Sequence, residues 1–296
     1  MPDLPAISVV IPSYESSRTI GATLASLESQ DYDGPLDVVV VRTGADDGTD
    51  TIVRERDGLK VRLVTQDERA FAWRARNMGA EKARGEIFAF LDADCTALPG
   101  WLSSIAHSAG HGVRAQGGAI ETRPPKTIGA CAEEFLETLE FHPRGKPRTL
   151  PFASAANSAY DAELFRSVGG FPDVKLGEDM LLGERVKKLG VPISFNPEMS
   201  VLHDNAVDFP RFLRKQREHG IYSARIRSAS ELKGSVFVRQ PLLLPLLPPA
   251  RLARLTTRAA RISPGLLVSL LALSPVLTLG VLSWTWGFIQ GRGSHA

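Results

Sequence analysis

The sequence predicts an α/β fold: a mostly parallel sheet flanked by helices, followed by a hydrophobic helical carboxy-terminal tail. Three observations carry this. Short, mostly apolar runs recur at residues 7–11, 36–41, 61–64 and 87–91, the last without a polar residue, the pattern of buried strands. Segments of helical spacing separate these runs, so helical crossovers rather than hairpins join the strands. Finally, residues 264–289 contain no Asp, Glu, Lys or Arg, unlike anything before them.

The elements follow in order. Residues 7–11 are β-branched and apolar until Pro12 stops the strand. Across 19–27, Ile20, Leu24 and Leu27 share one helical face. Strand 36–41 leads to Asp47-Gly48-Thr49-Asp50, which supplies turn and N-cap chemistry for a helix through Ile52 and Val53. After the strand at 61–64, a helix over 72–83 stops at Gly85, and the strand at 87–91 follows. Next come a helix over 101–109 and a strand over 115–121, whose Gly117-Gly118 permits close backbone approach. The Pro-, Gly- and basic-rich stretch 123–151, around a helix near 128–141, reads as a substrate-side insertion. Helices at 161–168 and 179–189 end on glycines, and extended pieces at 193–195 and 200–202 close on His203-Asp204.

Composition excludes several classes. Over 296 residues the net charge is +2, which gives no basis for nucleic-acid binding. The two cysteines, Cys95 and Cys131, form no disulfide framework or zinc spacing, which suits a reducing compartment. The start at Met1-Pro2-Asp3 lacks a signal peptide, so a cytoplasmic amino-terminal part is expected.

The tail reads as membrane-associated. Arg251, Arg254, Arg258 and Arg261 recur at helical spacing as one basic stripe, with Leu252, Leu255, Ala259 and Ile262 elsewhere on the helix. Such a helix suits an anionic membrane surface. The uncharged run 264–289 exceeds the roughly 20 residues a spanning helix needs, and Trp284 and Trp286 sit near its far end, where interfacial aromatics belong. Pro275 interrupts the run, and a buried terminal helix of a soluble protein is the competing reading. The earlier run 241–249 is too broken by proline to span.

Candidate chemistry centres on the strand at 87–91, which ends in Asp92-Ala93-Asp94. In extended chain, residues i and i+2 point to the same side, so both carboxylates would face one site at the sheet's carboxyl edge, where open α/β sheets bind ligands. Two acids so close call for a hard divalent cation, Mg²⁺ or Mn²⁺, which takes further ligands from water and a substrate's phosphates. The plain alternative is a polar turn closed by Pro99-Gly100.

Further motifs fall in order: Val9-Val10-Ile11-Pro12-Ser13-Tyr14, Arg76-Asn77-Met78-Gly79, Asn157 through Gly169-Gly170-Phe171, and Gly177-Glu178-Asp179. Together with Asp92-Ala93-Asp94 they resemble the family 2 inverting glycosyltransferases of the GT-A, Rossmann-like fold, over about residues 7–220. The resemblance implies transfer of a sugar from a nucleoside-diphosphate sugar to a hydroxyl of a glycan or lipid-linked acceptor. It implies that Asp94 holds the metal and that Asp92 supports it or contacts the ribose. Pro12, Ser13 and Tyr14 would border the base, and Arg76 would lie by the nucleotide. Asp179, of the pair Glu178-Asp179, would be the catalytic base, and His203 a further metal ligand. Gln216 and His219-Gly220 faintly resemble a late acceptor-side motif. Plain readings exist for each part: acids in a first turn complement a helix dipole, and a lone histidine is commonly structural. The implied organisation is a catalytic domain over 1–232 and a membrane-associated tail over 233–296, at the cytoplasmic face of the cell membrane. The chain departs from the pattern at Arg42-Thr43, where the family has acids; an Arg cannot accept from a pyrimidine N–H, which argues against ordinary uridine recognition. A nucleotidyltransferase, or a non-catalytic nucleotide-sugar-binding protein of the same fold, are the alternatives.

Overall fold

The computed structural model describes residues 4–124, 127–205, 207–230 and 232–292. Met1-Pro2-Asp3, the start read above, lies outside them, as do Pro125 and Lys126 of the 123–151 stretch. The chain forms two compact units, Met1–Glu121 with Lys146–Asp204, and Thr122–Gly145 with Asn205–Ala296. The 232/233 boundary falls inside the second.

The first unit opens with β1 (Ile7–Ser13), α1 (Ile20–Glu28), β2 (Leu36–Thr43), α2 (Thr49–Arg54), β3 (Val61–Gln66), α3 (Ala72–Lys82) and β4 (Ile87–Leu91). β1 lies parallel between β2 and β4, and β3 adds to the far side of β2. Ile87 to Leu91 are all buried, as expected of a strand covered on both faces. The remaining elements are β5 (Cys95–Ala97), α4 (Trp101–Gly110) and β6 (Ala115–Thr122), then, beyond the second unit's Thr122–Gly145, β7 (Arg148–Leu150), β8 (Asn157–Asp161), α6 (Ala162–Ser167), α7 (Glu178–Lys188) and β9 (Ile193–His203). The strand order is β3-β2-β1-β4-β8-β6-β9-β5, with β7 paired to β9.

The sheet turns antiparallel at β4–β8. In this half Asn157 is completely buried. Its side chain donates to Ala119 O (2.8 Å) and Met199 O (2.9 Å) and accepts from Trp101 Nε1 (2.9 Å). Gly118 is a glycine because a Cβ there would overlap Met199 O and the Asn157 amide.

One expectation needs correction. The two extended pieces at 193–195 and 200–202 are one strand, β9. The chain continues through Asn196-Pro197-Glu198 because Asn196 Oδ1 accepts from Glu198 N and Met199 N, satisfying donors that the interrupted ladder would leave bare.

The second unit is helical. α5 (Ile128–Glu133) passes into a π-helical turn over Glu134–Thr138 and a 3₁₀ turn over Leu139–Phe141, so the helix expected near 128–141 changes pitch twice. Next come α8 (Phe209–Ser228), α9 (Val236–Arg239), a 3₁₀ segment over Pro241–Leu246, α10 (Leu247–Ile262), α11 (Pro264–Ala272) and α12 (Ser274–Gly291). Ala132, Phe135, Leu139, Phe212, Ala259 and Leu277 share one core, and Ala224, Leu247, Trp284 and Phe288 a second.

The single basic stripe of the tail is also corrected. Arg258 and Arg254 pair with Glu140, and the Arg251 guanidinium lies 3.8 Å from the Trp284 ring centre. Their partners are distant in sequence, and only tertiary packing reveals them. Trp284 is 6% exposed and belongs to the core, whereas Trp286 is 57% exposed.

Candidate active site

The acidic edge follows from the chain's path after β4. Cys95 N donates to Asp92 O at 3.0 Å, so Asp92-Ala93-Asp94 is a tight turn and not extended chain. The i, i+2 argument therefore fails in detail, and the two carboxylates have different neighbours. Asp92 Oδ1 accepts from Arg76 Nη2 at 2.5 Å. Asp94 Oδ2 lies 3.4 Å from His203 Nε2. β5 and β9 create that second contact: their antiparallel register sets Cys95 opposite His203, and Asp204 N donates to Asp94 O at 2.8 Å.

Arg76 is the hub. Its side chain is 4% exposed, and it reaches Asp92 with one Nη and Glu178 Oε1 with the other, at 3.1 Å. Its Nε is buried without a hydrogen-bond partner, and its guanidinium lies 5.5 Å from the Phe171 ring centre. Burial alone would pull its proton affinity down; the charges of Asp92, Glu178 and Asp179 more than offset this and hold it protonated. Arg76 joins two acids 86 positions apart, one after β4 and one opening α7.

α7 starts at Glu178 because Gly177, at φ +88°, turns the chain into it. The neighbouring Asn77 brackets Phe171, donating to its carbonyl at 2.8 Å and accepting from its N–H at 2.9 Å. Arg76 and Asn77, adjacent on α3, thus position the segment leading to Glu178-Asp179. Asp179 Oδ1 accepts from Met180 N at 2.7 Å. Its charge also reaches Tyr160, whose phenol burial pushes well up.

The donor set next to Asp94 fits a hard cation. Asp94, Cys95 and His203 place one ligand atom each within 4.8 Å of one another. Cys95 is fully buried; that burial, with the charges of Asp94 and Asp92, keeps its thiol protonated. The available donors are therefore a carboxylate oxygen and an imidazole, which suit Mn²⁺ or Mg²⁺ better than a thiolate metal.

At the end of β1, Ser13 is buried, while Tyr14 is 37% exposed. The Arg69 guanidinium sits 4.3 Å from the Tyr14 ring centre, a contact the sequence reading missed; its available signal was the charged run Asp67-Glu68-Arg69 directly after β3 at the same sheet edge. Asp47 accepts from Ser17 N and Thr49; despite some burial, these bonds pull its carboxyl down to about 2.

Arg42 and Thr43 do not present themselves to a base. Arg42 is buried and donates to Asp50 through Nε (3.0 Å) and Nη2 (3.2 Å), and to Asp67 (3.1 Å) and Gly44 O through Nη1. Thr43 is 1% exposed. The departure at 42–43 thus fixes the turn after β2. Of the late motif, Gln216 donates to Glu137 at 2.6 Å and His219 Nδ1 lies 2.9 Å from the same carboxylate.

With this geometry in view, the likeness to known proteins is informative. The model of "Glycosyl transferase family 2" matches residues 8–169. Glycosyltransferase AglE of Haloferax volcanii is 30% identical over 220 residues, 72% of this chain and 71% of that protein. Validoxylamine A glucosyltransferase of Streptomyces hygroscopicus is 28% identical over 66% of this chain; the match spans 54% of that relative. Among solved structures, mannosyltransferase PcManGT of Pyrobaculum calidifontis, in complex with GDP-Man and Mn²⁺, superposes with a TM-score of 0.64 at 21% identity, over 98% of this chain and 89% of that one. TarS of S. aureus, in complex with UDP-GlcNAc, gives 0.56 at 17% identity, over 98% and 92%. These likenesses are of fold, and the fold is GT-A, a mixed α/β architecture. The Arg76-centred cluster lies at the carboxyl edge of that fold, and its sequence motifs fall mostly within the matched segment; the chain belongs to glycosyl transferase family 2.

Proposed function

We propose that this glycosyltransferase is metal-dependent and inverting, and that it moves a sugar from a nucleoside-diphosphate sugar to a hydroxyl of a lipid-linked or cell-surface glycan at the cytoplasmic face of the membrane. The observation that carries the reading is the bridge from Arg76 to both Asp92 and Glu178, which ties a donor-side acid to an acceptor-side acid pair. The GDP-Man and Mn²⁺ of PcManGT and the UDP-GlcNAc of TarS support a nucleotide-sugar donor and a divalent ion.

Asp94 and His203 would hold the metal, with Asp92 beside them; when bound, such an ion neutralises charge on a departing diphosphate. The protein's own groups divide the remaining work. Tyr14, with Arg69 against its ring, offers a half-exposed aromatic surface beside Pro12 and Ser13 for a nucleobase. Glu178 is committed to Arg76 as an ion pair, so Asp179 takes the proton of the acceptor hydroxyl as that oxygen attacks the anomeric carbon from the face opposite the leaving group. The nucleoside diphosphate departs with the bonding electrons, and the anomeric configuration inverts.

A donor panel scored for nucleoside diphosphate release, with and without Mn²⁺, tests the reading. Metal-dependent release from at least one donor, giving product of inverted configuration, is the expected result; retention of configuration, or nucleotide binding without turnover across the panel, overturns it.

A further inference from the structure

We infer that the second unit docks in the plane of an anionic lipid bilayer through the outward stripe of α11 and α12, without crossing it. This deepens the membrane-facing part of the proposed function and rests on it only for the choice of membrane. The vesicle experiment below needs no turnover, so the two can fail separately.

The stripe is laid out by helical geometry. On α12, Pro275, Leu279, Leu282, Trp286 and Ile289 recur at steps of three or four and are exposed. On α11, Val268 and Leu271 do the same, at 66% and 57% exposure. These helices pass the length and hydropathy requirement for a span only as a pair, and the pair is bent by 74°. Among the described residues, no single helix is long and apolar enough to cross.

The opposite face of α12 is what forbids insertion. It packs along α8 at backbone distance: a Cβ on Gly220 would overlap Trp284 O, one on Gly287 would overlap Arg217 O, and one on Gly291 would overlap Ile221 O. Ser283 Oγ donates to Leu213 O at 2.8 Å, and Arg217 Nε to Gln290 Oε1 at 2.8 Å. α8 carries six Lys and Arg residues in its 20. Driving α12 through hydrocarbon would drag these charges with it or tear the interface open, and both are costly. Lying flat keeps the interface and buries the apolar stripe.

Charge selects the lipid. Residues 205–296 hold 13 Lys and Arg against three Asp and Glu, in a chain whose net charge is only +2. Arg211, Arg214 and Arg217 are exposed on successive turns of α8. Although Arg254 and Arg258 pair with Glu140, the Arg254 side chain remains 67% exposed, and Arg261 is exposed. An apolar stripe on a strongly cationic unit matches acyl chains under anionic headgroups.

The test uses the full chain with vesicles of phosphatidylcholine and phosphatidylglycerol, read by co-sedimentation. Binding is expected, and replacing phosphatidylglycerol by phosphatidylcholine should weaken it by at least about tenfold. Leu279→Ser with Leu282→Ser and Trp286→Ser should weaken it by about 100-fold; these side chains are 49%, 49% and 57% exposed, so thermal stability should hold. Should that variant unfold, Trp286→Phe decides alone: the fluorescence it removes should be the part quenched by shallow bromolipids. Resistance to alkaline carbonate extraction, or quenching strongest at the bilayer centre, would make the tail a span and overturn the inference. So would vesicle binding indifferent to the triple variant, or a lipid-free dimer that the triple variant dissolves, since the stripe would then serve a second copy.

Discussion

Arg76→Met removes the cation between Asp92 and Glu178 while keeping a long side chain against Phe171. Arg76 is 4% exposed, with carboxylates at 2.5 and 3.1 Å whose side chains are 28% and 14% exposed. Breaking a buried pair by deleting one partner costs about 3–5 kcal/mol; the partial exposure of Asp92 lets water recover some of that, so we expect about 3 kcal/mol. At about 2–4 °C per kcal/mol for a unit of this size, the melting temperature should fall by about 6–12 °C. Glu178→Gln should recover part of the loss in the Arg76→Met background and destabilise the wild type. A double-mutant cycle by urea denaturation should give a coupling of about 1–3 kcal/mol. If Arg76→Met costs under about 1 kcal/mol, or the two substitutions simply add, Arg76 is not the hub that its contacts describe.

Other expectations follow from the same geometry. Asp179→Asn should lower transfer by about 10²–10⁴-fold with donor affinity unchanged in calorimetry; near-normal turnover would remove it as the base. His203→Ala and Asp94→Asn should each weaken Mn²⁺-dependent donor binding by about 10–100-fold, whereas metal-independent nucleotide binding should persist; equal losses with and without Mn²⁺ would refute the ligand assignment. His219→Asn should show a pH-dependent cost. Burial pulls the His219 imidazole down, but Glu137 at 2.9 Å more than offsets this and leaves it raised above 6.5. Glu137, pushed up by burial, is brought below 4.5 chiefly by His219. Both contributions are complete between about pH 4.5 and 6.5. The stability gap between wild type and His219→Asn should therefore be widest near pH 6 and narrow as pH rises through the folded value; a gap constant from pH 6 to 9 would contradict the pairing.

The parallel half of the fold was legible because β1, β2 and β4 are largely buried and read as mostly apolar runs. β8 was not: Asn157-Ser158-Ala159-Tyr160-Asp161 looks like a polar loop, yet its first four residues are buried, with the Asn157 amide met by partners far along the chain. α8 was hidden for a related reason. Its inward stripe of Phe212, Gln216, Gly220 and Ala224 keeps helical spacing but includes an amide and a glycine, which no hydrophobic count registers. At the site, each acid was legible as a motif, but its pairing was not. Arg76 meets Glu178 only because Asn77 and the Gly177 turn bring α7 back to α3, and the Arg42-Thr43 departure gave no sign in sequence that Asp50 and Asp67 bind the Arg42 guanidinium.

Asn157 has a consequence for how the first unit opens. From β8 its single amide group holds carbonyls of β6 and β9 and the indole of α4. Local fluctuations that release one of these neighbours strand a polar group inside the sheet, so partial opening gains little over complete opening. The antiparallel half should therefore lose its amide protection as one block, with β6, β8 and β9 exchanging hydrogen at a common free energy rather than fraying strand by strand from the β5 edge.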